Sequence, residues 1–200
     1  MMNDEWCSEE IHSGGKNKNT MRKILNEELN RPSVDEFRKM EKLNIVIVLD
    51  NIRSAHNAGS VFRTADAFAV KAIHCCGVTS TPPNRDLLKA SLGSQDSIEW
   101  KYYSSTMESI QELKKEGFKI IGIEQIDKSV TLENYFFYKE EKIAFVFGNE
   151  VKGVSEEILS LLDGAIEIPQ FGTKHSFNIS VTVGIVLWDY FIKAIQKNKI

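Results

Sequence analysis

Short apolar runs alternate with amphipathic segments along most of the chain. The run at 45–49 is an unbroken series of β-branched and aliphatic residues, which is typical of a strand buried on both faces. Similar runs predict strands at 72–76, 119–123, 143–147 and 165–168, with a shorter one at 97–102. Helical spacing of apolar residues predicts helices at 34–42, 57–68, 106–116, 155–162 and 176–196. This alternation predicts an α/β domain with a mostly parallel sheet flanked by helices.

Residues that favour helix ends support these boundaries. Ser33 and Glu36 have the spacing of a capping box before the first helix. Gly117 is expected to end the helix at 106–116. The polar segment 77–97 is predicted to be a long loop. N-caps of later helices are predicted at Asn57, Ser155 and Ser176.

The last predicted helix is apolar on more than one face. A helix that covers one core needs a single apolar stripe. Part of this surface is therefore expected to be buried between two subunits, which predicts a homodimer. The large apolar residues concerned are Val183, Val186, Leu187, Trp188, Tyr190 and Phe191.

Length and composition limit the classes of protein to which the chain can belong. Its 200 residues fit one domain, and 42% hydrophobic with 26% charged residues is ordinary for a soluble globular protein. The formal charge of −3 gives no general basic field for nucleic acid, although one face can still be basic. No apolar run approaches the roughly 18–20 residues of a membrane span. The polar N-terminus does not have the pattern of a signal peptide.

Cysteine and histidine usage predicts neither a disulfide framework nor a metal site. The three cysteines are Cys7, Cys75 and Cys76, an odd number without the spacing of a zinc site. None of the histidines has metal-ligand spacing with cysteines or acids. A reducing cytoplasm is therefore the expected location.

The N-terminal region differs in composition from the rest of the chain. Residues 1–20 are polar with almost no apolar periodicity, which predicts a disordered segment. Residues 21–42 are predicted to form a short helical extension, and 43–200 the main domain. Met21 opens the helical stretch, so it is a candidate for the natural start of translation.

Three separated segments place small residues, amide side chains and one ionisable group just after apolar runs. They are 51–66, then 147–154, and finally 168–170 together with 176–181. The carboxyl ends of parallel strands meet at one edge of a sheet, and glycine allows backbone to approach a ligand there. The segments therefore predict a ligand site at that edge.

In this order and spacing, the three segments resemble the motifs of the SpoU (TrmH-like) RNA 2′-O-ribose methyltransferases of the SPOUT class. The resemblance covers most of the chain, from about residue 45. It implies a knotted α/β fold with a deep C-terminal trefoil, a homodimer, S-adenosylmethionine as methyl donor and no metal. The implied substrate is a ribose 2′-hydroxyl in tRNA or rRNA. Too few ordered residues precede the first strand for a separate RNA-binding domain, which favours a small structured RNA such as tRNA.

The resemblance also implies roles for individual residues. Arg63 matches the arginine proposed to activate the 2′-hydroxyl. Because arginine stays protonated, we expect it to hold a phosphate and to stabilise a developing alkoxide. Asn57 and Glu150 would orient the site, while Ser176 and Asn178 would bind substrate. Cofactor contacts are implied for Ile123, Glu124, Gly148, Ile168, Gln170 and Phe177. RNA contacts are implied for Arg53, His56, Arg85 and Lys89.

Most of these residues also have simpler interpretations. Arg63 fits a surface arginine or an ion pair with Asp66 at i+3. Asn57 and Ser176 fit helix caps, and Glu150 fits a turn cap. The segment with Arg85 and Lys89 fits a solvated loop. Two residues depart from the family pattern, since Phe177 replaces a common leucine and Thr182 a common alanine.

Three other functions are compatible with an α/β chain. A catalytically silent RNA-binding module would have no need of the complete set of predicted catalytic residues. A nicotinamide-dependent enzyme is disfavoured because no G-x-G-x-x-G follows the first strand. A base-methylating SPOUT relative would place the methyl group on the base rather than the ribose.

Overall fold

A computed structural model describes residues 21–174 and 176–196. The predicted disordered segment 1–20, including Cys7, lies outside the described residues. The chain divides after Glu41 into two compact units, residues 1–41 and 42–200.

The described part of the first unit contains two short helices. One is the 3-10 helix Asn26–Leu29, and the other is α1, Val34–Lys39. The predicted capping box is confirmed, because Ser33 N donates to the Glu36 carboxylate at 2.7 Å and Glu36 N donates to Ser33 Oγ at 3.3 Å. Helix α1 ends at Lys39 rather than at residue 42. The predicted helical start at Met21 is wrong, since residues 21–25 are not helical.

The second unit is built on a sheet that, in the described residues, has seven strands in the order β3-β2-β1-β6-β4-β7-β5. Every neighbouring pair is parallel. The strands are β1 (Leu43–Asp50), β2 (Val70–Cys76), β3 (Glu99–Tyr103), β4 (Lys119–Ile123), β5 (Val130–Thr131), β6 (Ile143–Phe147) and β7 (Gly164–Glu167). The predicted parallel α/β architecture is confirmed. Strand β5 was not predicted, because two residues are too few to form a recognisable apolar run.

Helices cover both faces of this sheet. They are α2 (Ala55–Ala67), α3 (Arg85–Ser91), α4 (Thr106–Lys115), α5 (Glu156–Leu159) and α6 (Ile179–Tyr190), with a π-helical extension at Phe191–Gln196. Short 3-10 helices occur at Ser94–Asp96 and Leu132–Asn134. Gly117, with φ +81°, follows α4 as predicted.

Several predicted helix boundaries are wrong for an identifiable reason. The N-cap of α2 is Ser54, whose Oγ accepts from Asn57 N at 3.2 Å, so Asn57 lies inside the first turn. The N-cap of α6 is Asn178 rather than Ser176. In both cases several residues that favour caps stand close together, and sequence alone does not rank them. Ser155 is the N-cap of α5 as predicted, although its side-chain oxygen makes no capping hydrogen bond, and α5 ends at Leu159 rather than at 162.

The segment 77–97 is not the long loop that was predicted. It contains α3, whose N-cap Asn84 accepts hydrogen bonds from Asp86 N at 3.0 Å and Leu87 N at 3.2 Å. Helix α3 packs on α2, where a side chain at Gly59 would overlap Leu87. The burial of Leu87 at this contact explains why a helix forms in a polar segment.

Helix α6 and its extension form one 18-residue segment that by length and composition alone could cross a membrane. The helix predicted at 176–196 contains this segment, in which Asp189 and Lys193 interrupt the apolar run. The segment carries an Asp189–Lys193 ion pair of 2.7 Å, and Val183, Val186 and Tyr190 are fully buried. It therefore serves as a core helix of the second unit.

Candidate active site

A cavity of about 510 Å³ lies at the carboxyl ends of β4, β6 and β7. It is bounded by the chain segments that follow these three strands. Its lining includes all six residues predicted to bind the cofactor, namely Ile123, Glu124, Gly148, Ile168, Gln170 and Phe177. Glu150, Ser176 and Asn178 line it as well.

Residues 148–155 follow β6 and form the β6 loop, which Gly148 lets fold tightly against itself. A Cβ atom at this position would overlap the backbone of Gly153 and Val154. The loop closes through two backbone hydrogen bonds between Asn149 and Gly153, each of 2.9 Å. The glycine is therefore required by the shape of the cavity wall.

A hydrogen-bond network joins the three sequence segments at the rim of the cavity. The Glu150 carboxylate accepts from Arg53 N at 3.0 Å, Ser54 N at 3.1 Å and Asn57 Nδ2 at 3.1 Å. Asn57 Oδ1 in turn accepts from Asn178 Nδ2 at 3.1 Å. Glu150 thus orients the start of α2, and Asn57 connects it to the start of α6.

The same hydrogen bonds determine the charge state of Glu150. Partial burial by itself would raise its pKa, but the donors from Arg53, its own backbone, Asn57 and Ser54 together hold the pKa below its usual value. The carboxylate is therefore ionised at neutral pH with its oxygens occupied. Such a group orients its neighbours and is poorly suited to accept a proton from substrate.

A second set of buried contacts holds the β6 loop in place. The fully buried Asp50 accepts from Ser155 N at 2.7 Å and from Thr106 Oγ1 at 2.5 Å. Glu124 Oε2 accepts from Val154 N at 2.9 Å, and Asn149 Nδ2 donates to Asn51 O at 2.7 Å. Glu124 therefore supports the loop in addition to lining the cavity.

Sequence reasoning missed three members of this support, Asp50, Asn51 and Asn149. A signal was present, because each polar side chain comes at or just after the end of a buried strand. Asn51 also has a φ of +57°, a conformation that asparagine tolerates better than most residues.

The predicted RNA-binding residues and Arg63 lie outside the cavity lining. The Arg63 side chain is exposed on α2 and forms no hydrogen bond or ion pair with any described residue. The alternative of an ion pair with Asp66 is wrong, since Asp66 accepts from Ser97 Oγ at 2.5 Å instead. Arg63 is thus a free cation on the helix whose first turn is held by Glu150.

The other predicted RNA-binding residues occupy two places. Arg53 and His56 flank the start of α2, and both are exposed. Arg85 and Lys89 are exposed on α3, where Lys89 forms an ion pair of 3.3 Å with Asp86. Arg53 and His56 therefore lie beside the Glu150 network, whereas Arg85 and Lys89 lie on the neighbouring helix α3.

Within residues 21–174 and 176–196, no group of three or more His, Cys, Asp or Glu side chains could hold a metal ion. Cys75 and Cys76 are buried free thiols in β2, as the apolar run predicted. Burial raises the pKa of each thiol to about 12, so neither is a reactive thiolate.

Residues 44–188 match the SpoU rRNA Methylase family. The chain is 29% identical over 162 residues to a tRNA (guanosine(18)-2′-O)-methyltransferase of Thermus thermophilus, and the match covers 81% of each chain. In fold it is similar to the TrmH/SpoU tRNA modifying enzyme of A. aeolicus, with a TM-score of 0.71, 25% identity and 82% of each chain covered. An AdoMet-bound rRNA methyltransferase from Sinorhizobium meliloti aligns with a TM-score of 0.70 and 25% identity, covering 78% of this chain and 59% of that one.

A parallel sheet with a cavity at its carboxyl edge defines a ligand-binding α/β protein. The chain belongs to the SpoU rRNA methylase family. The resemblance seen in its sequence is thereby confirmed, together with the enzyme class and S-adenosylmethionine as the cofactor of that class.

Proposed function

We propose that the protein transfers the methyl group of S-adenosylmethionine to a ribose 2′-hydroxyl of tRNA or rRNA. The observation that carries this proposal is the Glu150–Asn57–Asn178 network, which unites the three sequence segments at the rim of one cavity. A chain that only bound RNA would need no such arrangement beside a cofactor-sized cavity.

The cavity fits S-adenosylmethionine in size and chemistry. Small-molecule pockets measure roughly 300–1,000 Å³ and combine apolar surface with polar groups that orient the ligand. Here Ile123, Ile168 and Phe177 supply apolar surface, and the β6 loop supplies backbone. The bound cofactor supplies an electrophilic methyl group. The protein then has to orient the ribose and exclude water.

Two groups of residues would act on the RNA. Glu150, Asn57 and Asn178 hold the beginnings of α2 and α6 in register, so that the 2′-oxygen is placed in line with the methyl group. Arg63, a cation without a partner among the described residues, is available to a phosphate or to the developing alkoxide. Ser176 and His56 would contact the same nucleotide, and Arg53 would contact the RNA beside it.

We further propose that the protein acts as a homodimer in the cytoplasm, where its RNA substrates are made and matured. Helix α6 supports a subunit contact, since Trp188 is 56% exposed although it stacks on Phe191 at 5.7 Å. The C-terminal trefoil knot implied by the family resemblance stays a prediction, as do residues 43–200 as the catalytic domain.

The test is a tritiated-methyl transfer assay on bulk tRNA and rRNA from cells that lack this gene, followed by nucleoside mass spectrometry. A 2′-O-methylnucleoside is expected. A methylated base would indicate the base-methylating alternative, and cofactor binding without any transfer would indicate a silent RNA-binding module. Arg63→Ala should abolish turnover while cofactor affinity stays nearly unchanged.

A further inference from the structure

A second cavity, of about 1280 Å³, lies beside the cofactor cavity at the same edge of the sheet. Asn149, Val151 and Lys152 line both cavities, so the β6 loop is the wall between them. We call the second cavity the strand groove. It is further lined by Asn51, Arg53, Val78, Val154, Ser155, Glu156 and Glu157.

The strand groove is larger than a typical pocket for a small ligand, which suits a polymer better than a second small molecule. Any nucleotide whose ribose enters the cofactor cavity is covalently joined to neighbours that must leave it. The strand groove opens directly over the β6 loop, on the side of β1 and β2. It therefore offers the rest of the RNA strand a path next to the cofactor cavity.

The side chains at the shared wall suit the two parts of a nucleotide. Arg53 and Lys152 are exposed and form no ion pair with any described residue. Val78 and Val151 are 65% and 77% exposed, which leaves apolar surface for a base. Arg53 also has a fixed backbone, because its N–H donates to Glu150 at 3.0 Å.

We infer that the strand groove holds the RNA nucleotide next to the methylated one, with its phosphate between Arg53 and Lys152 and its base against Val78 and Val151. This inference rests on the proposed function and deepens it. Phosphate contacts of this kind fix the register of a strand, and unstacked bases bind to apolar surface.

Two acidic residues in the lining limit where the strand can run. Glu156 and Glu157 are exposed at the start of α5 and also line the groove. Their charges repel phosphate, so the phosphates stay at the Arg53 and Lys152 side. Removing these charges should therefore strengthen RNA binding, which is the opposite of the effect at Arg53 and Lys152.

The experiment measures binding of radiolabelled bulk tRNA and of bulk rRNA fragments by the full chain between about 50 and 200 mM KCl, the range in which phosphate contacts dominate affinity. The groove variant is Arg53→Gln with Lys152→Gln, and the reverse variant is Glu156→Gln with Glu157→Gln. The matched control is Lys115→Gln with Lys139→Gln, two exposed lysines in segments that lead to the other edge of the sheet. Cofactor affinity is measured separately for each protein.

The groove variant is expected to bind RNA on the order of tenfold more weakly, with a salt dependence shallower by roughly 0.7 per lost contact. The reverse variant should bind a few-fold more tightly, the control should match the unmodified protein, and cofactor affinity should not change. If the groove variant matches the control while the unmodified protein methylates RNA, the groove assignment is wrong and the proposed function stands. If the unmodified protein neither binds nor methylates either RNA pool, both are wrong.

Discussion

Two loops that line the cavity at the carboxyl ends of β4, β6 and β7 are built in opposite ways. The β6 loop, residues 148–155, is tied by hydrogen bonds to Asn51, Asp50 and Glu124 and closed on itself at Asn149 and Gly153. The β7 loop, residues 168–178, leads from β7 to α6 and has few ties. Among its described residues, 171–174 and 176–177 form no hydrogen bond at all.

Exposure shows part of the same contrast. In the β7 loop Phe171 is 99% and Phe177 43% exposed, although most other phenylalanines of the second unit are largely covered. In the β6 loop Val154 is buried, whereas Val151 is exposed. The β6 loop is therefore held by its own hydrogen bonds, while the β7 loop has few of them. Preorganisation of the β6 loop lowers the ordering cost of ligand binding.

The largest effect is expected when the central hydrogen-bond acceptor of the β6 loop, Glu150, is removed. Glu150→Ala leaves Arg53 N, Ser54 N and Asn57 Nδ2 without their common partner. We expect single-turnover methyl transfer to fall on the order of 100-fold or more, because small misplacements of reacting groups have effects of that size. Thr173→Ala in the β7 loop is the matched control and should transfer methyl at the normal rate. Equal rates for the two variants would contradict the orienting role.

Removing the buried contacts that hold the β6 loop should lower the stability of the folded protein. Asp50→Ala leaves the Thr106 hydroxyl and Ser155 N–H buried without an acceptor. The free energy of unfolding in urea should fall by about 2–4 kcal/mol, since each buried unsatisfied group costs about 1–3 kcal/mol. Asp86→Ala, at an exposed ion pair, should change it by less than about 1 kcal/mol. A loss at Asp50 no larger than that at Asp86 would argue against the anchoring role.

Two glycine variants test the difference between the β6 and β7 loops directly. Gly148→Ala forces the β6 loop apart, because the new Cβ overlaps Gly153 and Val154. Gly172→Ala in the β7 loop meets no atom within 4 Å. We expect about tenfold weaker cofactor binding for Gly148→Ala, equivalent to about 1.4 kcal/mol, and little change for Gly172→Ala. Calorimetric titration with S-adenosylmethionine measures the affinity of each variant. Similar affinities for the two variants would contradict the structural difference between the two loops.

The smallest expected effect is on pH dependence. Because the folded pKa of Glu150 is held below its usual value of 4.5, its contribution to stability is complete above pH 4.5 and decreases as the pH falls through the folded value. Solvent screens this exposed carboxylate, so the contribution should be below about 1 kcal/mol. Urea unfolding between about pH 3 and 6 should show a decrease in the unmodified protein that is smaller in Glu150→Gln. An identical decrease in both proteins would assign the effect to other carboxylates.

The sequence predicted the sheet well because buried parallel strands are continuous apolar runs. It also identified the residues that line the cavity, since the family motifs name them. It was less successful where several similar residues compete for one position, as Ser54 and Asn57 do at the start of α2. The helix in 77–97 was missed because its stability comes from packing on α2, which is not visible in local composition.

The buried residues that hold the β6 loop were not predicted, for a related reason. Asp50 stands at the end of a buried run, but its sequence neighbours do not identify the groups that it holds. Its role depends on Ser155, which is 105 residues away, and on Thr106, which is 56 residues away. Only the tertiary fold brings these three residues together.

The spacing of the Glu150 network has a consequence for how the enzyme is made in the cell. Asn57 is 93 residues from Glu150 and 121 residues from Asn178. Contacts between such distant residues form late, because long stretches of chain must be ordered first. A ribosome-bound chain that has not yet released α6 therefore lacks a complete site. Nascent protein of this kind cannot modify RNA until the start of α6 has emerged and packed.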